Sequence, residues 1–192
     1  MITEILLLSL TLVFAQNLLF SGGYGISEAI SAAITKKRAL FCAITAICCG
    51  VLSILSYGTI SAVKLITDNI YIVYSIIMVC AAILYVIMLI ILHFLNVKKS
   101  TLNLLSISAF NSAVLVIPFV SQSLNSGFLG AIFLAVGGAV GYSLALLFVS
   151  EGLKRLNYSA MPKAFRGIAA VIIFIGILAM AFSAFNGVPL VV

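Results

Sequence analysis

Charge is missing from this sequence in long blocks. No Asp, Glu, Lys or Arg occurs between Glu4 and Glu28, from Ala39 to Val63, from Asn69 to Asn96, from Ser100 to Ser150, or from Gly167 to the end. A bilayer core about 30 Å thick is crossed by about 20 mostly apolar residues in a helix. Each block reaches that length. The block from Ser100 to Ser150 holds two spans, with a turn at Ser121-Gln-Ser-Leu-Asn-Ser-Gly127 between them. Six membrane-spanning helices follow, at about 5–25, 39–58, 70–94, 101–121, 128–150 and 167–187. Charged residues make up 7% of the chain, against about 25% in a soluble domain. The connections are short, so the expectation is one all-α membrane domain over residues 1–192. The first span lacks a basic start and an Ala-x-Ala cleavage pattern, and reads as a retained helix rather than a secretory leader.

The basic residues are placed unevenly. Lys36, Lys37 and Arg38 fall between spans one and two, Lys98 and Lys99 between three and four, and Lys154, Arg155, Lys163 and Arg166 between five and six. Only Lys64 falls in a loop of the other set. Short Lys/Arg-rich loops stay in the cytoplasm, so both termini are expected outside it. The net charge of +6 is thereby explained without a nucleic-acid partner. Cys42, Cys48, Cys49 and Cys80 lie in apolar sequence of spans two and three. They read as small packing residues, because no CxxC pair exists and the single His93 completes no zinc site.

Three glycines fall within four positions at the end of span one, in Asn17-Leu-Leu-Phe-Ser-Gly-Gly-Tyr-Gly25. The sequence stays apolar to Thr35 apart from Glu28, so Ile5 to Thr35 is too long for one straight span. Two geometries fit: a helix broken near Gly22, Gly23 and Gly25 with a second half beyond, or a helix that ends there and an interfacial segment. Broken membrane helices mark binding sites in transporter-like folds. Span four offers a counterpart, since Leu104-Leu-Ser leads to Asn111 as Leu7-Leu-Ser leads to Asn17, and a discontinuous fourth helix is open alongside a discontinuous first. Three spans per half would place the halves in opposite orientation, as an inverted repeat. Asn17 and Asn111 at membrane depth need hydrogen-bond partners. They either join helices or, with Gly22, Gly23, Gly25 and Ser112, line a midplane site. Gly130, Gly137 and Gly141 share one face of span five and read as helix packing. Glu151 with Lys154 and Arg155 has the spacing of a solvated ion-pair cluster, and Ser159-Ala-Met-Pro162 reads as the turn before span six. No carboxylate pair, activated nucleophile or phosphate loop is present, so no catalytic residue is assigned.

The chain resembles the small membrane subunits of the Rnf and Nqr complexes, and most closely the A subunit of Rnf and the E subunit of Nqr. The resemblance is carried by Gly137-Gly-Ala-Val-Gly-Tyr-Ser-Leu-Ala-Leu146, by Glu151-Gly-Leu-Lys-Arg-Leu-Asn-Tyr-Ser-Ala-Met-Pro162, by Phe165-Arg-Gly167 and by the tail from Gly176 to Gly187, with the Lys36-Lys37 loop. It implies a subunit of a bacterial or archaeal cytoplasmic-membrane complex. Such complexes move electrons between ferredoxin or NADH and an acceptor while transporting sodium ions or protons. It also implies a sister subunit of opposite orientation, and flavin and iron–sulfur partners. In the family, two sister subunits each supply one cysteine from the first span and one from the fourth to a shared two-iron two-sulfur cluster. Here the fourth-span pattern Asn-Cys-Ala is Asn111-Ser112-Ala113, and Gly22 to Ala33 contains no cysteine. The expectation is therefore the family scaffold with no cluster ligands, no metal and no cofactor held by this chain alone. The rival reading is a free-standing small transporter or channel on the same scaffold, as a homodimer or alone. A purely structural assembly subunit is a third.

Overall fold

The computed structural model describes residues 2–34, 38–64, 69–96, 99–124, 126–155, 162, 165 and 167–184. Lys36, Lys37, Lys98, Asn125, Ser159 to Met161, Lys163, Arg166 and the tail from Phe185 lie outside them. The described residues form helices and turns, with no strand. The helices are α1 (Ile2–Val13), α2 (Ile26–Ile34), α3 (Arg38–Lys64), α4 (Ile70–Phe94), α5 (Lys99–Ala109), α6 (Ser112–Ser123), α7 (Gly127–Arg155) and α8 (Ile168–Ser183).

Among the described residues, four helical stretches are long and apolar enough to cross a membrane: Arg38–Val63, Tyr71–Phe94, Leu104–Ser123 and Gly127–Arg155. Between their ends lies little but lipid-compatible side chain. α4 exposes Tyr71, Met78, Val79, Val86, Ile90 and Phe94, and a helix apolar nearly all round is stable only in lipid or deep in protein. α8 behaves alike, with Ile168, Ile172, Ile177 and Met180 outward.

Two helices organise the rest. α7 packs against α1, α2, α3 and α6, whereas α3 packs against α4, α5, α6 and α7. The glycine face of α7 explains its first contact. A Cβ on Gly137 would sit 2.5 Å from the Ser9 carbonyl oxygen, and one on Gly141 would sit 2.5 Å from that of Leu12. The backbones of α1 and α7 thus meet directly, which only glycine permits. Gly130 is buried on the same helix. In α6, Pro118 is buried mid-helix and removes one internal hydrogen bond, a loss membrane helices tolerate when packed in protein.

Several expected boundaries shift. Span one is not a helix to residue 25: α1 stops at Val13, because the Gln16 amide donates to Thr11 O at 2.7 Å and the chain leaves the regular ladder. Asn17 therefore lies in a turn segment and not on a helix. Span two reaches Lys64 rather than 58. Gly58 meets open space and causes no break, and Thr59 Oγ donates within the helix to Leu55 O at 2.9 Å. Span four, whose discontinuity the sequence left open as it did for span one, is two helices interrupted at Phe110 and Asn111. Span five extends past 150 to Arg155, its end carrying a Glu151–Lys154 ion pair at 2.7 Å.

Candidate functional site

The two interruptions meet. After Val13 the chain turns through residues 14–25 without forming a helix, then resumes as α2. Leu18, Leu19 and Phe20 are buried, and Phe20 stacks on Phe182 of α8 with ring centroids 4.5 Å apart. Turn bonds satisfy much of this backbone: Ser21 N to Asn17 O at 2.8 Å, Gly23 N to Leu19 O at 3.1 Å and Tyr24 N to Leu18 O at 2.9 Å. Gly23 and Gly25 take φ of +70° and +73°, a region that costs other residues about 1–2 kcal/mol.

Asn17 is the internal tie of this segment. Its Nδ2 donates to Val13 O at 3.0 Å and to Gly141 O at 2.9 Å, while its Oδ1 accepts from Leu19 N at 3.1 Å and Phe20 N at 3.4 Å. Both donors and the acceptor are engaged, so the amide caps α1, shapes the turn and fastens both to α7. Gly22 lies beside the Tyr24 ring and Gly23 faces mostly open space.

Gly25 is the point of docking. Its amide donates to Ser112 Oγ at 2.8 Å, and its carbonyl accepts from the Tyr142 hydroxyl at 3.0 Å. A side chain here would run into Asn111 Oδ1 and the Tyr142 ring. Asn111 is the N-cap of α6, with Oδ1 accepting from Ala113 N at 2.9 Å, while its buried Nδ2 has no hydrogen-bond partner among the described residues. Asn111 lies near the middle of Leu104–Ser123, and Gly141 and Tyr142 near the middle of Gly127–Arg155. The junction of Asn17, Gly25, Asn111, Ser112 and Tyr142 thus lies near the middle of these two apolar stretches.

Sequence reasoning did not single out Tyr142. It stands beside Gly141 in a run already noted for other reasons, and a buried hydroxyl in a membrane helix is a signal that could have found it. None of the cysteines hydrogen-bonds to a junction side chain among the described residues. Cys48 and Cys49 are buried in α3, Cys80 Sγ is 3.3 Å from Thr59 Oγ, and Cys42 lines a cavity with Ser143. Among the described residues no three His, Cys, Asp or Glu side chains gather to hold a metal.

A family model described as "Rnf-Nqr subunit, membrane protein" matches residues 5–189. This chain belongs to the Rnf-Nqr family. Among curated members it is 33% identical over 101 residues to the A subunit of the Na(+)-translocating ferredoxin:NAD(+) oxidoreductase complex of Acetobacterium woodii, covering 49% of this chain and 53% of that one. It is 30% identical over 79 residues to the A subunit of the proton-translocating ferredoxin:NAD(+) oxidoreductase complex of Clostridium ljungdahlii, 41% of each chain. The A subunit of the ion-translocating oxidoreductase complex of Pectobacterium carotovorum is 35% identical over 77 residues, 40% of each. The aligned segments thus span about half or less of each relative, whereas the Rnf-Nqr family model covers nearly the whole chain.

Proposed function

We propose that this Rnf-Nqr protein is an integral subunit of an ion-translocating oxidoreductase complex in a bacterial or archaeal cytoplasmic membrane. In this reading it sits against a sister subunit, within reach of flavin and iron–sulfur subunits, with both termini outside the cytoplasm. The observation that carries the reading is the exposed break. Ser21, Gly22, Gly23, Tyr24 and Ser112 are exposed at the junction, although the junction lies at bilayer depth. Non-helical backbone at that depth is tolerated only against protein or a water-filled cavity. A partner chain seated on this face would meet that requirement. The packing also supports a six-span inverted repeat: α1 and α2 lie on α7 as α5 and α6 lie on α3.

The proposal includes a departure from the resemblance. A two-iron two-sulfur cluster needs thiolate ligands, and the donor set at the junction does not fit one. It offers the amides of Asn17 and Asn111 and the hydroxyls of Ser112 and Tyr142, Gly25 has no side chain, and Ser112 Oγ already accepts the Gly25 amide. In this reading the chain supplies scaffold and ion path, and electrons pass through other subunits. The thiol-free junction also favours the rival, a free-standing transporter without redox chemistry.

Purification of the full chain from its native membrane in mild detergent separates the two. Recovery with a second Rnf-Nqr chain and with flavin and iron–sulfur proteins is expected, and recovery as a lone monomer or homodimer would favour the transporter. Electron paramagnetic resonance on the intact assembly is expected to give the same iron–sulfur signals in wild type and in Ser112→Ala. A signal lost in that variant, or in variants of Cys42, Cys48, Cys49 or Cys80, would place a cluster on this chain. A reporter fused at the C-terminus is expected to be active only outside the cytoplasm.

A further inference from the structure

Glu28 is the third residue of α2, and α2 begins at the midplane junction. At about 1.5 Å of rise per residue, its Cα stands roughly 5 Å from Gly25 along the helix. A carboxylate this deep is costly in hydrocarbon, so it faces a cavity or a partner and marks an ion pathway. Here there is a cavity. Between α2 and α5 lies a space of about 280 Å³, lined by Ser27, Glu28, Ser31, Ser106, Ile107 and Phe110. α2 runs from the junction toward the basic loop at 36–38, and α5 runs from Lys99 back to the junction. Both half-helices therefore stand on the same side of the midplane, and the space between them is an open groove, with Ser27, Ser31, Ile107 and Phe110 exposed and Glu28 and Ser106 half-buried.

The lining chemistry is specific. Glu28 Oε2 accepts from Ser27 Oγ at 2.8 Å, Ser31 Oγ donates to Ser27 O at 3.0 Å, and Ser106 Oγ is 3.1 Å from the Tyr85 hydroxyl. Every polar atom offered to the cavity by these side chains is a hard oxygen, and the lining holds no thiol, imidazole or basic group. Hard oxygens suit alkali and alkaline-earth cations rather than transition metals. One carboxylate neutralises one monovalent cation, whereas a divalent ion would keep an uncompensated charge in a low-dielectric site.

We propose that Glu28, with the hydroxyls of Ser27, Ser31 and Ser106, forms a sodium-ion binding site in the cavity between α2 and α5. Its part in transport rests on the reading of the chain as a subunit of an ion-translocating complex, but cation binding itself does not.

Carbodiimide labelling tests this in native membranes that contain the full chain. Dicyclohexylcarbodiimide attacks protonated carboxyls in apolar settings, and a bound cation excludes it. Glu28 is expected to be modified in sodium-free buffer at mildly acidic pH. Because ligand binding depletes the free site by 1 + [L]/Kd, sodium chloride at roughly ten times Kd should slow the labelling about tenfold. Choline chloride at equal ionic strength should not. Glu28→Gln should abolish the label. Ser106→Ala should raise the sodium concentration for half-protection several-fold, in protein that still elutes as wild type. Labelling of Glu28 that ignores sodium, protection that choline matches, or label confined to Glu4, Asp68 or Glu151 would each overturn the site. A chain that purifies alone yet shows sodium protection would overturn the complex and keep the site; a complex with sodium-blind Glu28 would do the reverse.

Discussion

The two helix breaks of this protein do the same job by different means. The first spreads over residues 14–25, contains two left-handed glycines and is held by contacts with α6 and α7. The second takes only Phe110 and Asn111, because Asn111 ends one helix and caps the next. One break is made by the tertiary structure, and the other is made locally by a side chain three bonds from its own backbone. Asn17 and Asn111 look equivalent along the chain, yet Asn17 uses both donors and its acceptor while Asn111 leaves Nδ2 unpartnered.

The difference can be broken most severely at Gly25. Gly25→Val combines a left-handed backbone with overlap against Asn111 and Tyr142, and should destabilise the protein by about 3 kcal/mol or more. Denaturant or thermal unfolding in detergent would read this as a lower midpoint or lost folded yield. If Gly25→Val unfolds like wild type, the docking of Gly25 on α6 and α7 is wrong.

Asn17→Ala should come next. It removes a buried interhelical bond to Gly141 O together with the cap on Val13 O and the turn bonds, for about 2 kcal/mol in total. Asn111→Ala should cost less, about 1 kcal/mol, since it removes one N-cap and also an unpartnered amide. Equal losses for the two variants would mean that the asparagines play one role and that the contrast between the breaks is false.

The smallest effect is expected at Gly23. It has φ of +70° but faces open space, the nearest side-chain atom to an added Cβ being Ile26 Cδ1 at 3.8 Å. Gly23→Ala should therefore register only the backbone cost, about 1 kcal/mol. A loss as large as that of Gly25→Val would mean that this face, too, is tightly covered in the assembly, and would sharpen the case for a partner seated there.

Particular residues mark what could be read in advance. The bounds of α4 match those expected at 70–94, since Asp68 and Lys98 bracket it. The small-residue face of α7 was legible because Gly137 and Gly141 are a helical turn apart and any helix would align them. The glycine cluster announced a departure from helix, yet the departure begins at 14, well before Gly22. Its start is set by Asn17 reaching Val13 O and Gly141 O, and nothing in residues 14–17 by themselves announces that. Glu28 was visible only as an interruption of an apolar run. Its cavity exists because Ser106, Ile107 and Phe110 of a distant helix stand opposite.

The sequence by itself determined where the apolar, charge-free blocks lie, because excluding charge from hydrocarbon is a requirement each segment meets alone, whatever its neighbours. It determined that backbones could approach at Gly137 and Gly141, since a missing side chain is a local fact. The tertiary structure decided which peptide of the glycine cluster would dock and which asparagine would be used up. Those choices depend on hydrogen bonds from Asn17 to Gly141 and from Tyr142 to Gly25, between residues 124 and 117 positions apart. A hydrogen bond at that separation leaves no period in the chain. Its free energy is gained only after the helices that carry both partners have packed.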